Sequence, residues 1–292
     1  MIAPKTTIKR PPRPPLRLLW ENRRMTLVVG IYCDNSIIMG AEQQESTGIA
    51  AKRNVCKLRR YANANWALGF SGAGEGALID SAERHLVEWL RTKERFTGNQ
   101  LANAIEEVLG EVYTKFIDPD PRSEGISLIV GASCEDGLCL IQTHKRAAQF
   151  QYDYACSGYG SDVAIYLFDR LHEREDKWIE SLKIAIFALS EVKESAQYCG
   201  GDSDFLVFQK PPHPRWRKLS SYYVSSMENE SQNLIFATIR PKILEQRWRP
   251  EMSEDYIDEH HSVPYKEPAD EFEPSGMARH KAEIKRLESQ DE

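Results

Sequence analysis

Three side chains and one backbone amide in this sequence have the types and spacing that acyl transfer requires. They are the hydroxyl of Thr26, the carboxylate of Glu42, the ammonium of Lys57 and the amide of Gly69. A threonine hydroxyl is a weak nucleophile until a base takes its proton. When threonine is the first residue of a chain, its own α-amine, with a pKa of about 7.7–8.0, can act as that base. The four groups therefore predict chemistry at an N-terminal threonine.

Each of the other groups has a defined task in such a reaction. Lys57 favours the neutral amine through like-charge repulsion and helps to lower the pKa of the Thr26 hydroxyl. Glu42 pairs with Lys57 and holds its ammonium in place. The Gly69 amide, with its neighbours in "GFSGAG", can stabilise an oxyanion. The branched side chain of Thr26 restricts χ1 and so fixes the direction of the hydroxyl.

Two hairpins must position these groups. "TLVVGIYC" and "SIIMGA" are strand-like and flank a short polar turn, and so do "CKLRRYA" and "NWALGF". Antiparallel pairing returns Glu42 to the side of Thr26 and places Lys57 beside Gly69. If the hairpins are neighbours in one sheet, all four residues gather at one edge of that sheet.

Ordinary structural explanations of the same residues stay open on spacing alone. A threonine at the start of a strand is usually a plain strand residue. An isolated Glu–Lys pair is usually a surface ion pair worth about 0–1 kcal/mol. "GFSGAGEG" also suits a common strand-to-helix turn, and it is too irregular for a dinucleotide-binding fingerprint.

The order of elements predicts the fold class. Strands are followed by two helices, further strands, two more helices and a last strand. Helical stripes are predicted over 74–92, from a cap at Thr97 to 118, and over 161–172 and 177–194. This order lacks the regular β-α alternation of a parallel sheet. It predicts an α+β fold, a four-layer α/β/β/α sandwich of two antiparallel sheets with helices outside.

Composition divides the chain into four parts. Residues 1–25 form a basic, proline-rich leader, predicted to be disordered or absent from the mature chain. Residues 26–209 form the folded domain. Residues 210–249 form an extension in which "YYVSSM" and "NLIFATI" suggest edge strands, and 250–292 form an acidic tail predicted to be disordered.

Bulk properties exclude several function classes. The net charge of −6 gives no reason to expect a nucleic acid partner. No stretch of 18 apolar residues predicts a membrane span, and the leader lacks the apolar centre of a secretory signal. Six cysteines without a C-x-x-C pair indicate reduced thiols in a cytoplasmic protein. No metal site and no cofactor are predicted.

Four segments, "TLVVGI", "GAEQQESTG", "KRNVCKLRRY" and "ALGFSGAGEGA", resemble in order and spacing the N-terminal half of proteasome β-subunits and of HslV-type peptidases. The similarity covers roughly residues 26–209, with looser agreement at "CSGYGS" and "YCGGDSDFLVF". It implies the N-terminal-nucleophile (Ntn) hydrolase fold. It also implies a threonine protease that cleaves polypeptides inside a homo-oligomeric ring, with an ATPase unfoldase as a further partner.

The resemblance also implies roles for individual residues. Thr26 matches the nucleophile of the family, Glu42 the acidic position, Lys57 the lysine and Gly69 the glycine whose amide lines the oxyanion hole. The residues implied for substrate binding are Glu45, Ser46, Cys56 and Ala67.

Three departures from the family pattern concern the surroundings of Thr26. Met25 stands where propeptides usually end in glycine, and Tyr159 stands where the "SG-x-GS" turn has serine. Ala196 and Cys199 replace the ends of an Asp-x-x-Ser sequence. Tyr159 and Ala196 lack groups that support the lysine and the terminal amine. Cys199 is not expected to replace the nucleophile, because no histidine lies nearby in sequence.

Two routes would make Thr26 the first residue. The native protein starts at Met25 and loses it, or the Met25–Thr26 bond is cleaved autocatalytically. Two other functions stay open, a non-catalytic ring subunit and an amidase acting on a small molecule or a protein conjugate. Keeping both Thr26 and Lys57 favours the enzyme, because a scaffold needs neither.

Overall fold

The computed structural model describes residues 26–47, 51–120, 123, 125–196, 199–210 and 216–234. The leader predicted over 1–25, the tail predicted over 250–292 and most of "NLIFATI" lie outside the described residues. Within the described part of the chain, no helix is long and apolar enough to span a bilayer.

Twelve strands lie among the described residues. In chain order they are β1 Leu27–Cys33, β2 Ser36–Glu42, β3 Gln44–Thr47, β4 Ala51–Asn54, β5 Arg59–Ala62, β6 Ala67–Gly74, β7 Ile126–Cys134, β8 Gly137–His144, β9 Ala147–Gln151, β10 Tyr154–Gly158, β11 Ser203–Gln209 and β12 Trp216–Lys218. The first five-stranded sheet has the order β10-β1-β2-β11-β12, and the second has the order β5-β6-β7-β8-β9. Every pairing is antiparallel, and β3 and β4 form a separate ribbon.

Helices cover the outer faces of both sheets. They are α1 Gly76–Arg91, α2 Gly98–Val112, α3 Ser161–Leu171 and α4 Trp178–Ser195, and a π-helical turn, Tyr113–Ile117, continues α2. A further helix, α5 Ser221–Leu234, follows β12 in the chain. The first two helices pack on the second sheet, and α3 and α4 pack on the first. Strands β1, β2 and β10 in turn contact β7 of the opposite sheet. The predicted four-layer α/β/β/α sandwich is therefore confirmed.

The start of α2 shows how local sequence sets an element. The Thr97 hydroxyl accepts a hydrogen bond from the Gln100 amide at 3.3 Å, and the Gln100 side chain accepts one from the Thr97 amide at 3.0 Å. This reciprocal capping satisfies two amides that the first helical turn leaves unpaired. The predicted cap at Thr97 is confirmed.

The core between the sheets fixes the strands that carry the candidate residues. Val28, Met39 and Phe208 of the first sheet pack with Ile129 and Leu140 of the second, and all five are fully buried. Burying one such side chain contributes about 1.5–3 kcal/mol. The ends of β1 and β2 are therefore held on a rigid support.

The two N-terminal hairpins lie in different sheets, so the expectation that they are neighbours in one sheet is wrong. The β1–β2 hairpin belongs to the first sheet and the β5–β6 hairpin to the second. Strand β2 pairs with β1 on one side and with β11 on the other, which leaves no free edge for β5.

The strand predicted at "YYVSSM" is also wrong. These residues lie in α5, and the Ser220 hydroxyl accepts a hydrogen bond from the Tyr223 amide at 3.2 Å. A serine in this position caps a helix and outweighs the strand preference of two tyrosines. The edge strand after Gln209 is instead Trp216–Lys218. Leu219 begins a second compact unit, in which the structure describes α5.

Candidate active site

Glu42 is the last residue of β2, and its fully buried side chain accepts hydrogen bonds from several backbone amides. Antiparallel pairing brings it to the start of β1, where its Oε1 accepts a hydrogen bond from the Leu27 amide at 3.3 Å. Its Oε2 accepts hydrogen bonds from the amides of Gln44 at 2.7 Å and Gly200 at 3.4 Å. The predicted return of Glu42 to the side of Thr26 is confirmed.

Lys57 reaches the same carboxylate from the other sheet. It lies just before β5, and its Nζ is 2.5 Å from Oε1 of Glu42. The ammonium also donates a hydrogen bond to the carbonyl oxygen of Gln44. One oxygen of Glu42 therefore contacts both the Lys57 ammonium and the amide that follows Thr26. Two facing sheets, rather than one sheet edge, bring these residues together.

The charge of this pair depends on its partners. Burial raises the pKa of the Glu42 carboxyl, and the Lys57 ammonium, with the Gly200 and Gln44 amides, opposes that shift. A buried carboxylate without such partners would bind a proton rather than stay charged. Burial outweighs these partners, so the pKa of the Glu42 carboxyl stays above its usual value in a site almost closed to water.

Thr26 is buried and held by its backbone. Its carbonyl oxygen accepts a hydrogen bond from the Tyr159 amide at 3.1 Å. Gly158 lies opposite Leu27 with a φ of +104°, and a Cβ there would overlap the Thr26 carbonyl oxygen. Only glycine permits both this conformation and this approach. The glycine of "CSGYGS" therefore fixes the position of Thr26.

Gly69 does not lie beside Lys57, so that prediction is wrong. Arg60 is the residue opposite Gly69. A Cβ on Gly69 would lie 2.7 Å from the Met39 sulfur and 2.8 Å from Phe208. Gly69 therefore faces the packed interior between the sheets, and its predicted role as the oxyanion donor loses its support.

The residues at the end of β6, rather than Gly69, lie beside Lys57. The β5–β6 ladder stops where Arg59 pairs with Phe70, and its register puts Lys57 level with Gly72. Beyond Phe70, β6 no longer pairs with β5 but still pairs with β7. Alternate backbone amides over 71–74 therefore point away from β7, toward the segment that contains Lys57. The Ser71 hydroxyl donates a hydrogen bond to the Lys57 carbonyl at 2.8 Å. These amides are the candidate oxyanion donors.

The residues predicted to bind substrate separate into two groups. Ala67 is fully buried at the other end of β6, opposite Ala62. It lies about 17 Å along the strand from Gly72, so its predicted place in the same pocket is wrong. Cys56 is exposed and precedes Lys57 directly. Glu45 and Ser46 lie on β3. This strand begins at Gln44, which contacts Lys57.

Cys199 is buried next to the site and donates a hydrogen bond from its thiol to the Tyr159 carbonyl at 3.3 Å. Burial, followed by the charge of Glu42, raises the pKa of this thiol to about 12. It stays protonated at neutral pH, which agrees with the expectation that it is not the nucleophile. Ala196 provides a carbonyl oxygen to the Cys199 amide at 3.2 Å.

Sequence reasoning missed the backbone groups that organise Glu42 and Thr26. The amides of Gln44, Gly200 and Tyr159, with the bare Cα of Gly158, surround the two residues. "CSGYGS" and "YCGGDSDFLVF" were the available signals, but only the strand register shows which groups they contact. Among the described residues, no three histidine, cysteine or acidic side chains are arranged to hold a metal ion.

The family model described as proteasome subunit matches residues 24–207. Three solved structures of Anbu, an ancestral β-subunit, have a similar fold. The protein from Hyphomicrobium sp. strain MC1 is 13% identical, with a TM-score of 0.63 over 76% of this chain and 99% of its own. The protein from Yersinia bercovieri is 13% identical, with a TM-score of 0.62 over 78% and 99%. The protein from Pseudomonas aeruginosa is 14% identical, with a TM-score of 0.64 over 79% and 100%.

No curated protein matches this chain. At such low identities the three structures support the fold alone. The family model, in contrast, spans well over half of the sequence and all of the elements that build the site. The chain therefore belongs to the proteasome subunit family.

Proposed function

We propose that this protein is a threonine peptidase of the proteasome type, with Thr26 as its nucleophile once Thr26 is the first residue. One observation carries the proposal. Oε1 of Glu42 contacts both the Leu27 amide and the Lys57 ammonium, so an acid–base pair lies beside the peptide that follows Thr26. A surface ion pair would not be buried in this way.

The reaction begins at the two groups of one residue. The α-amine of Thr26 takes the hydroxyl proton while Oγ1 attacks the substrate carbonyl carbon. The tetrahedral intermediate then breaks its C–N bond, and the new ammonium returns the proton to the leaving amine. Water, deprotonated by the same amine, hydrolyses the resulting ester and frees Thr26.

Lys57 supports this reaction electrostatically. Glu42 and the Gln44 carbonyl hold its ammonium in one place. A fixed positive charge beside the α-amine favours the neutral base and stabilises the developing alkoxide. Because the site is nearly closed to water, this effect is larger than it would be at the surface.

In this proposal, backbone amides of β6 stabilise the oxyanion by donating hydrogen bonds to it. Amides over 71–74 that point away from β7 lie level with Lys57. A single such donor typically contributes about 10²–10³-fold to the rate.

The substrate in this proposal is an unfolded polypeptide, with Glu45, Ser46 and Cys56 next to its binding path. The similar Pseudomonas aeruginosa protein is described as a helical assembly, which supports self-association here as a ring or related homo-oligomer. Because such an assembly admits extended chains, an ATPase unfoldase is the partner that would supply them. The six cysteines are all free, in keeping with work in the reducing cytoplasm.

A second candidate function is that of a non-catalytic ring subunit. Tyr159 and Ala196 favour it, because each stands where the family resemblance expects a small hydroxyl or a carboxylate near Thr26. The two candidates differ in one respect that can be measured, which is whether the assembled protein hydrolyses peptides.

The test uses assembled protein whose intact mass shows Thr26 as the first residue. Hydrolysis of a set of fluorogenic peptides is compared among wild type, Thr26→Ala and Thr26→Ser. The peptidase proposal expects Thr26→Ala to lose at least about 10³-fold in kcat/KM and Thr26→Ser to keep measurable activity. Equal hydrolysis by wild type and Thr26→Ala contradicts the proposal, and no hydrolysis by wild type favours the ring subunit.

A further inference from the structure

Tyr159 lies directly beside Thr26. Leu27 pairs with Gly158, so the register of β1 and β10 puts Thr26 level with Tyr159. The Tyr159 amide donates its hydrogen bond to the Thr26 carbonyl oxygen, yet the Tyr159 side chain is 42% exposed. A large part of an aromatic side chain is therefore accessible next to the candidate nucleophile.

The backbone of Tyr159 is held on both sides. Its amide is paired, and its carbonyl oxygen accepts a hydrogen bond from the Cys199 thiol at 3.3 Å. Its two neighbours, Gly158 and Gly160, have φ values of +104° and +84°. A Cβ on Gly160 would lie 2.3 Å from the Val192 side chain, so this turn packs closely on α4. Because the turn is rigid, little backbone freedom is lost when the Tyr159 side chain contacts a ligand.

The two flanks of Thr26 differ. Strand β1 lies between β10 and β2 in the first sheet. On the β2 flank the chain continues into β3, whose first residue contacts Lys57. The substrate path of the proposed function, at β3 and Cys56, is on this flank. Tyr159 follows β10 and lies on the other flank.

The proposed reaction assigns opposite halves of the substrate to these flanks. The α-amine of Thr26 returns a proton to the leaving amine, so the scissile nitrogen lies against the backbone of Thr26. An extended peptide continues in opposite directions from the two atoms of the scissile bond. When the acyl half lies along β3, the leaving half therefore crosses Thr26 toward the end of β10, where Tyr159 lies.

The candidate oxyanion donors lie between the two flanks. The register of β6 puts Gly72 level with Lys57, and a Cβ on Gly158 would lie 3.2 Å from the Ala73 side chain. The end of β6 thus borders both Lys57 and the turn that carries Tyr159. A substrate carbonyl at these amides is therefore centred between the β3 path and Tyr159.

We propose that the Tyr159 side chain contacts the first substrate residue after the scissile bond and determines specificity there by favouring an aromatic side chain. This inference rests on the proposed peptidase function. An offset or edge-to-face contact between two aromatic rings contributes a factor of about 2–10 to binding beyond the area that it buries. The serine that the family resemblance expects at this position offers no such surface.

Peptides that differ only after the scissile bond test this contact. Internally quenched peptides with one acyl half carry Phe or Gly as the first residue after the bond, and mass spectrometry of the products verifies that the same bond is cleaved. The ratio of kcat/KM for the Phe peptide to kcat/KM for the Gly peptide is measured on assembled protein that begins with Thr26. Wild type and Tyr159→Phe are expected to share a ratio about 2–10-fold above that of Tyr159→Ser. Tyr152→Ser, a matched change at a 63% exposed tyrosine between β9 and β10, should keep the wild-type ratio.

Labelling by a peptide epoxyketone separates this inference from the proposed function. The reagent has an acyl half and no leaving half, so it reports reaction at Thr26 alone. If wild type is labelled and hydrolyses both peptides, but Tyr159→Ser keeps the wild-type ratio, the side-chain contact is wrong and the peptidase proposal stands. A ratio that falls as far in Tyr159→Phe as in Tyr159→Ser also contradicts the contact, because the hydroxyl then acts rather than the ring. If wild type is neither labelled nor able to hydrolyse the peptides, both proposals are wrong.

Discussion

The Lys57 ammonium lies 2.5 Å from the Glu42 carboxylate although the two residues approach from opposite sheets. Their side chains are 11% and 1% exposed. The same oxygen accepts a hydrogen bond from Leu27, so this contact joins the two layers of the sandwich to the start of β1. Both the stability and the proposed chemistry of the site therefore depend on one pair.

Removing one partner of the pair should be far more harmful than removing an exposed pair. Lys57→Met leaves a buried carboxylate without its counter-ion, and we expect the free energy of unfolding to fall by about 3–5 kcal/mol. Arg146→Met breaks the pair with Asp118, in which both side chains are about half exposed, and should cost at most about 1 kcal/mol.

Urea unfolding measures both effects. Adding Glu42→Gln to Lys57→Met removes the stranded charge and should recover part of the lost stability without restoring activity. If Lys57→Met and Arg146→Met lower the free energy of unfolding by similar small amounts, the buried pair of Glu42 and Lys57 does not stabilise the fold more than an exposed pair.

Alanine substitutions at two glycines with positive φ, Gly158 and Gly137, distinguish displacement of Thr26 from backbone strain alone. An alanine Cβ at 158 would overlap the Thr26 carbonyl oxygen, whereas a Cβ at Gly137 has no atom within 4 Å. Both changes should cost about 1–2 kcal/mol of conformational strain. Only Gly158→Ala should also displace Thr26, the proposed nucleophile, and we expect a fall of about 10²-fold in kcat.

The measurement is kcat on folded, assembled protein with thermal unfolding alongside. If Gly137→Ala and Gly158→Ala lower kcat equally, the close approach of Gly158 does not position Thr26 for the proposed reaction.

Stability should decline in alkaline solution because of a buried thiol. Burial raises the pKa of Cys33 from 9.0 to about 12. Between these values the folded state keeps a proton that the unfolded state loses, so stability falls as pH rises, by up to about 1.4 kcal/mol per pH unit. Cys33→Ala should remove this part of the slope.

Urea unfolding between pH 9 and 11 measures the two slopes. Cys56→Ala, which removes an exposed thiol, controls for the loss of a cysteine. Identical slopes for wild type and Cys33→Ala would mean that Cys33 ionises as easily in the folded state as in the unfolded one.

Sequence reasoning succeeded where one local pattern decided the outcome. The position of Glu42 follows from counting along a single hairpin, and the start of α2 follows from Thr97 and its partner three residues later. It failed at Gly69, because Lys57 lies beyond the β5–β6 ladder, and extending the pairing of Arg59 with Phe70 puts it level with Gly72, three residues further on. It also failed where the partner was distant. The amides of Tyr159 and Gly200 lie more than 100 residues further along the chain than Thr26 and Glu42, which they contact.

The most direct test of the central claim is a covalent adduct that needs the amine and the hydroxyl of one residue. A peptide epoxyketone closes a ring with both groups of an N-terminal threonine. Mass spectrometry of the assembled, processed protein should locate the adduct on the peptide that begins with Thr26, and Thr26→Ala should abolish it. An adduct on Cys56 or Cys199 instead, or no adduct on protein that begins with Thr26, would contradict the account.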